Sequence, residues 1–354
     1  MSHGYQAIQW NGFKWRYDIV MLLGVAAFIT AFSLMTMASR PPEQSLTMVQ
    51  VLIRAFGASA FLLLTVILAI GPLARLSARF KPLLYNRRHM GVLCFILALV
   101  HAGLSLLWYQ GFSALNPVVA LFVSNARYTS IAGFPFESLG VVALILLAFL
   151  AVSSHDYWQA ALGPTLWKRI HMGVYVAYGL LVMHVLLGTI QGEKDVLYPV
   201  SIIGAFCLLA FLHGASALAG RFRDKTAAAS LDGWINIGAP DNIPENRARI
   251  IKAASGDRIA VFRYDGKISA VTNVCAHQNG PLGEGRIVDG CITCPWHGWQ
   301  YRPEDGRSPA PFDEKISTYR VQVDGGMVYV HPEALPPGTP TPPALIKEVK
   351  HDKA

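Results

Sequence analysis

The sequence predicts a membrane all-α six-helix bundle followed by a small all-β domain, and three observations carry that prediction. Of 354 residues, 53% are hydrophobic and only 15% charged, which lies outside the range of ordinary soluble chains. The apolar excess ends near residue 220, where mixed, polar composition takes over. Before that boundary six apolar segments approach the ~20 residues a helix needs to cross a bilayer. After it, apolar and polar residues alternate between Asp-Gly and Gly-Gly turns, the pattern of short strands.

The predicted layout is an N-terminal segment over 1–17, six spans within 18–220, a linker over 221–229, the β domain over 230–335 and a Pro-rich, charged, disordered tail over 336–354. The spans fall at 18–38, 50–72, 90–110, 137–154, 168–190 and 196–219. Each must be helical, because lipid offers open backbone groups no partner. Basic residues set the orientation. Lys14 and Arg16 precede the first span, Arg75, Arg79, Lys81, Arg87 and Arg88 join the second to the third, Lys168 and Arg169 open the fifth, and Arg221, Arg223 and Lys225 follow the sixth. The opposite loops carry mainly Arg40, Arg127 and Lys194. The positive-inside rule therefore places both termini, and with them the β domain, on the cytoplasmic face of the membrane.

Insertion topology thus accounts for the net charge of +8, and a nucleic-acid partner is excluded. The first apolar run is too long for a secretory leader, so none is expected. Five cysteines are too few and too scattered for a disulfide scaffold: Cys94 and Cys207 lie in apolar runs, whereas Cys275, Cys291 and Cys294 lie together.

Four histidines lie in the third and fifth spans, His89 and His101 in RRHMGVLCFILALVHAG and His171 and His184 in KRIHMGVYVAYGLLVMH. Both spans run outward, and at 1.5 Å per residue the spacings become ~18 and ~19.5 Å, which gives one level near the cytoplasmic surface and one deep level. His89 with His171 and His101 with His184 could hold two stacked haems, since imidazole is a natural axial ligand and ionisable groups inside a membrane mark functional paths. On straight helices the two members of each helix differ by ~120° and ~140° in azimuth, which favours the deep pair, then His171, then His89. Arg54, near the outer end of the second span, either snorkels to the interface or partners a haem propionate.

These segments, with FPFESLGVVALILLAFLAVSS between them, resemble the ferric reductase-like transmembrane domain. The resemblance extends to the haem-binding membrane subunit of the periplasmic methionine sulfoxide reductase system. It covers roughly residues 15–220 and implies a six-helix b-type cytochrome with His101, His171 and His184 at the family's histidine positions. His89 departs from the pattern, in which Met commonly follows the paired arginines.

Downstream, CAHQNGPLGEGRIVDGCITCPWHGWQY contains Cys275-x-His277 and Cys294-x-x-His297. Zinc sites rarely use the first half-motif. A Rieske [2Fe-2S] cluster needs two thiolates on one iron and two imidazoles on the other, which two loops giving one Cys and one His each supply. Gly280, Pro281, Pro295 and Gly298 shape the loops, and Pro309 to Pro311 could cover them. The runs RIAVFRYDGKISAVTNV and TYRVQVDGGMVYV read as hairpins. This stretch resembles Rieske ferredoxins and the Rieske domain of ring-hydroxylating oxygenases. Quinol-oxidising relatives carry an extra cysteine in each loop and a serine after the second histidine. Here Trp296 and Trp299 stand in the second loop, which implies fewer hydrogen bonds to the cluster sulfurs and a low-potential carrier. Cys291 lies outside the ligand pattern.

The parts together predict a transmembrane electron-transfer protein. A cytoplasmic flavin- or NAD(P)H-dependent reductase would feed the cluster, and one or two b haems would deliver electrons to an outer acceptor. By resemblance that acceptor is a methionine sulfoxide reductase-like protein or ferric iron. The outer loop over 111–136, with Arg127 and Tyr128, is either a docking surface or an ordinary loop. No flavin- or nicotinamide-binding motif is readable: GPLGEG lies inside the cluster loop rather than at a strand-to-helix turn. FMN within the membrane domain is compatible with the resemblance. Exchange with the membrane quinone pool and redox sensing are the alternatives. An oxygenase would need a 2-His-1-carboxylate iron site, and none follows the cluster.

Overall fold

The computed structural model describes residues 12–40, 43, 45–84, 87–112, 114–123, 134–192, 196–223, 233–277, 279–296 and 298–346. The chain divides into two compact units at Ser216 and Ala217.

The first unit is helical: α1 Gly12–Ala38, α2 Met48–Leu76, α3 Arg87–Gln110, α4 Pro117–Val123, α5 Phe136–Val152, α6 Asp156–His171, α7 Gly173–Gly192 and α8 Leu197–Arg223. Among the described residues five stretches are long and apolar enough to cross a membrane: Trp15–Ala38, Met48–Leu76, Arg87–Gln110, Leu166–Gly188 and Leu197–Ala219. The expected span at 137–154 is α5, whose 17 residues reach ~26 Å, at the short end of what can cross a hydrocarbon core. Pro135 sets its start, and Ser153 to His155 turn the chain away at its end.

The expected fifth span is not one straight helix. A turn at Met172 separates α6 from α7, with glycine at the first position of α7. His171 therefore closes one helix while His184 lies on another, and a straight-helix azimuth does not apply to them. Half of the α2 span is buried, against 6% for α1, so α2 runs through the bundle and α1 lies at its lipid-facing edge. Thr47 fixes the start of α2 through a reciprocal capping box with Gln50. The tightest helix pairs are α2 with α3 and α5 with α7.

The second unit is antiparallel β: β1 Ile235–Gly238, β2 Arg247–Lys252, β3 Arg258–Tyr264, β4 Lys267–Thr272, β5 Arg286–Val288, β6 Cys291–Thr293, β7 Gln300–Tyr301, β8 Thr318–Tyr319, β9 Val321–Asp324, β10 Met327–Val330 and β11 Ala344–Leu345. Among the described residues the strands form three sheets, ordered β1-β10-β9, β11-β4-β3-β2 with β8 also on β4, and β5-β6-β7. The hairpin turns are the ones the sequence announces. Asp265-Gly266, Asp289-Gly290 and Gly325-Gly326 all take positive φ, from 46° to 75°, matching the twist of two-residue hairpins. Strand β3 lies between two cores, so it reads as a continuous apolar run. Ile259 and Val261 face Ile268, Val328 and Val330. Ala260 and Phe262 face Leu282, Ile292 and Tyr301, together with Cys275 and Cys294.

The tail expected from residue 336 begins as something else. Up to residue 346 it is a strap held by hydrogen bonds: Gly338 N to Ile316 O at 3.1 Å, Thr341 N to Glu304 O at 2.6 Å, Thr318 Oγ1 to Thr339 O at 3.0 Å, and Ile346 N to Gly266 O at 2.9 Å. Strand β11 pairs with β4, Ala344 opposite Ile268. Prolines that forbid a helix are compatible with an edge strand and its approach, so composition alone misreads this segment. Residues 347–354 lie outside the described residues.

Candidate metal centres

The two cysteine loops of the β unit are built on one plan. Cys275 N donates to Gly280 O at 2.9 Å and Asn279 N to Cys275 O at 2.8 Å. In the second loop Cys294 N donates to Trp299 O at 2.8 Å and Gly298 N to Cys294 O at 3.0 Å. In each loop the residue four beyond the cysteine is left-handed, Asn279 at φ 57° and Gly298 at φ 73°, a conformation that Asn and Gly tolerate best. A Cβ on Gly280 would lie 2.6 Å from Cys294 Sγ and 3.2 Å from Trp296 Cδ2, so the loops interlock where only a bare Cα fits.

Both thiols are sealed from solvent, at 1% and 2% exposure for Cys275 and Cys294. His277, with its Nδ1 buried, lies flat on Trp299 at 4.2 Å between ring centres and 9° between planes. Trp299 is fixed in turn, donating Nε1–H to Ser308 Oγ at 2.9 Å and packing against Phe312. The segment through Pro309 and Pro311 is thereby drawn toward the loops. His297 lies outside the described residues. Among the described residues no three His, Cys, Asp or Glu side chains converge on a single point, and a two-iron cluster asks for none, since its thiolates and imidazoles address different irons. Buried thiols on interlocked loops beside a held imidazole fit that group.

Tyr301 is the residue sequence reasoning missed. It is fully buried, and its hydroxyl lies 3.4 Å from Cys275 Sγ. Burial, reinforced by charge on Cys275, pushes the phenol well above its ordinary range, so it remains a donor. Its only signal was an aromatic in the strand after the second histidine. Cys291 is half-buried on β6, opposite Val288, and burial pushes its thiol upward as well.

In the helical unit the structure brings two of the four predicted histidines next to each other. The ring centres of His101 and His184 are 6.3 Å apart, with planes at 83°. His101 Nδ1 lies 2.8 Å from Ile53 O, and His184 Nδ1 lies 2.8 Å from Phe136 O. A carbonyl only accepts, so both Nδ1 atoms carry the proton and each Nε2 keeps its lone pair. Two metal–imidazole bonds of ~2.0–2.1 Å, with about 1 Å more from each nitrogen to its ring centre, span ~6 Å. The pair therefore fits a single metal held between them.

His89 and His171 are held differently. His89 Nδ1 lies 2.7 Å from Oδ2 of buried Asp18 on α1. His171 stacks on Trp167 at 3.8 Å, its Nδ1 3.1 Å from Trp167 O and its Nε2 3.4 Å from Ser154 Oγ. Sequence reasoning also passed over His213, on α8, whose Nε2 lies 3.0 Å from Tyr175 Oη. The signals for Asp18 and His213 were an acid in the first apolar span and a histidine in the sixth. Arg54 is half-buried on α2, next in the chain to the carbonyl that holds His101. Arg127 and Tyr128 lie outside the described residues.

Two families match. Residues 55–182 match the ferric reductase like transmembrane component, and residues 233–320 match the Rieske [2Fe-2S] domain. His101 and His171 fall inside the first match, and His184 lies just beyond its end. The anthranilate 1,2-dioxygenase ferredoxin subunit of Burkholderia cepacia is 32% identical over 104 residues, which are 29% of this chain and 95% of that protein. A cholesterol 7-desaturase of Xenopus laevis is 40% identical over 67 residues, but these are 18% of this chain and only 15% of the desaturase. Among solved structures, the ferredoxin of carbazole 1,9a-dioxygenase from Nocardioides aromaticivorans IC177 aligns at 23% identity and a TM-score of 0.27, covering 29% of this chain and all of that one. Joined to the interlocked cysteine loops and the apolar helices, the two family matches and the ferredoxin subunit mean that the chain belongs to the Rieske [2Fe-2S] family through residues 233–320, carries a ferric reductase-like transmembrane component before it, and is a membrane oxidoreductase of the electron-transfer type.

Proposed function

We propose that this protein carries electrons across a bacterial plasma membrane, from a cytoplasmic flavin- or NAD(P)H-dependent reductase to an acceptor outside. The acceptor would be a methionine sulfoxide reductase-like protein or ferric iron. The observation that carries the reading is the adjacent pair His101 and His184, each with Nδ1 held by a backbone carbonyl, in a chain that also carries a Rieske domain. Cys275 and Cys294 would hold one iron of the cluster, and His277 and His297 the other. His101 and His184 would hold a b haem, Arg54 would meet a propionate, and His171 and His89 would serve a second haem. When bound, these groups supply one-electron exchange without proton or atom transfer. The chain's own work is to fix ligand tautomers through Nδ1, exclude water with an apolar bundle and tune the thiolates through Tyr301. The near-complete coverage of a ferredoxin subunit supports a carrier role for the soluble unit.

The test is purified protein in vesicles that enclose an impermeant ferric complex, with the reduced donor supplied only on the side exposing the Rieske domain. Enclosed iron should be reduced by the wild type and not by Cys275→Ser or His184→Ala. Reduction that persists in both variants, or none in the wild type, overturns the proposal.

Tyr301→Phe tests the tuning. Reduction adds negative charge to the cluster, so a donor to Cys275 Sγ stabilises the reduced state. One hydrogen bond of ~1–1.5 kcal/mol corresponds to ~40–60 mV for one electron. The variant's cluster potential should fall by that amount in a titration followed by paramagnetic resonance, and an unshifted potential removes Tyr301 from the cluster's bonding.

A second reading, exchange with membrane quinone, draws on an apolar cleft of ≈ 570 Å³ between α1 and α2, with Arg16 and Tyr17 as its polar groups beside Ser59. Loss of turnover with a quinone-site inhibitor in the same vesicles distinguishes it from the first.

A further inference from the structure

His101 and His184 are carried by α3 and α7 but seated on α2 and α5, and the two seats are built alike. His101 meets Ile53 O, and four residues further along α2 a Cβ on Gly57 would lie 2.8 Å from His101 Nδ1 and 3.0 Å from its Cε1. His184 meets Phe136 O, and four residues further along α5 a Cβ on Gly140 would lie 2.8 Å from both His184 Cε1 and Nδ1. Both hydrogen bonds close over the same separation of 48 residues.

In an α-helix the carbonyl of one residue faces the amide four residues on, so each seat is a single turn with an acceptor at one end and a bare Cα at the other. A side chain on that Cα would push the ring off its carbonyl. Glycine is among the least favourable residues for a helix interior, so its use at both corresponding positions calls for a compensating contact, which the imidazole provides. Among the other glycines of these helices, a Cβ on Gly188 of α7 would crowd the Phe136 ring at 3.1 Å and one on Gly71 of α2 would touch Arg87 at 3.6 Å, neither of them a histidine, whereas a Cβ on Gly91 or Gly103 of α3, or on Gly179 of α7, would meet nothing within 4 Å.

We infer that Gly57 and Gly140 are positioning residues that let His101 and His184 reach the backbone carbonyls of neighbouring helices, setting tautomer and spacing so that both Nε2 atoms address one iron. The inference rests on the reading of these histidines as haem ligands. It assigns the site to two equivalent helix pairs, α2 with α3 and α5 with α7, each supplying a ligand on one helix and its seat on the other.

The experiment uses the full chain with Gly57→Ala and Gly140→Ala made singly, beside Gly103→Ala and Gly179→Ala. Overpacking of a fixed ring should lower low-spin haem per chain about tenfold in the first two and leave the second two at wild-type values. A haem-free readout accompanies it, a double-mutant cycle on thermal unfolding of the apoprotein. Gly57→Ala should lower the transition temperature beside His101 but leave it unchanged or raise it in the His101→Ala background, where the Cβ has room. That background also covers the case in which Gly57→Ala alone does not fold. Wild-type spectra in both seat variants, or equal thermal losses in both backgrounds, overturn the seats. Low-spin haem retained in His101→Ala instead overturns the ligand reading beneath them.

Discussion

His101→Ala and His184→Ala, each alone, are expected to abolish the low-spin b-type spectrum of the deep site and to cut its haem content at least tenfold. The two ring centres lie 6.3 Å apart, and each Nδ1 is held by a carbonyl of a neighbouring helix, Ile53 O for His101 and Phe136 O for His184. If the pair holds a haem as proposed, removing either residue would leave the group with one protein ligand, and a haem so held is high-spin. Truncation also leaves a carbonyl without its side-chain donor, at Ile53 or Phe136, although each carbonyl keeps its helical partner, so the cost to the fold is smaller than the cost to the site. Reduced-minus-oxidised absorbance with haem counted per chain measures both effects. An unchanged spectrum in either variant would show that the deep pair is not the axial set, and His171, His89 and His213 would become the candidates.

Much of this site was legible because the residue types themselves are improbable. A histidine deep in an apolar span needs a reason, and of the four the sequence offers the structure brings His101 and His184 together. The Rieske domain was legible for the same cause, from Cys275-x-His277 and Cys294-x-x-His297, and the structure sets Cys275 and Cys294 on loops that interlock. The hairpins were readable from Asp265-Gly266 and Gly325-Gly326, since positive φ at two successive positions admits few residues.

The rest depends on contacts that close over long separations. The carbonyls of Ile53 and Phe136 lie 48 residues from the histidines they hold, and no local pattern marks a carbonyl as an acceptor. Tyr301 reaches Cys275 across 26 residues and reads locally as one more strand aromatic. The break at Met172 falls within an apolar run that continues past it, and hydropathy integrates over such a turn. The strap over 336–346 failed to register because Pro and Gly content reports what backbone a segment avoids, whereas its order comes from partners such as Ile316, Glu304 and Gly266 elsewhere in the domain.

Cys275→Ser and Cys291→Ser should part completely, although both exchange sulfur for oxygen in one small domain. Cys275 lies in the interlocked loop, 1% exposed, with its amide tied to Gly280 O and Tyr301 Oη 3.4 Å from its sulfur. A serine there offers a hard oxygen with a far higher pKa where the cluster needs a soft thiolate, so the Rieske paramagnetic signal should fall below detection. Cys291 lies on β6, half-buried, with a thiol that burial pushes toward its neutral form, and its replacement should leave the signal intact. Because haem would be bound by another unit of the chain, Cys275→Ser should keep the low-spin spectrum of the wild type while losing haem reduction by the cytoplasmic donor. Reduction that continues at the wild-type rate would take the cluster off the electron path even if every ligand assignment held. A signal lost in Cys291→Ser would place the third cysteine inside the ligand set, where two loops of identical hydrogen bonding leave it no position.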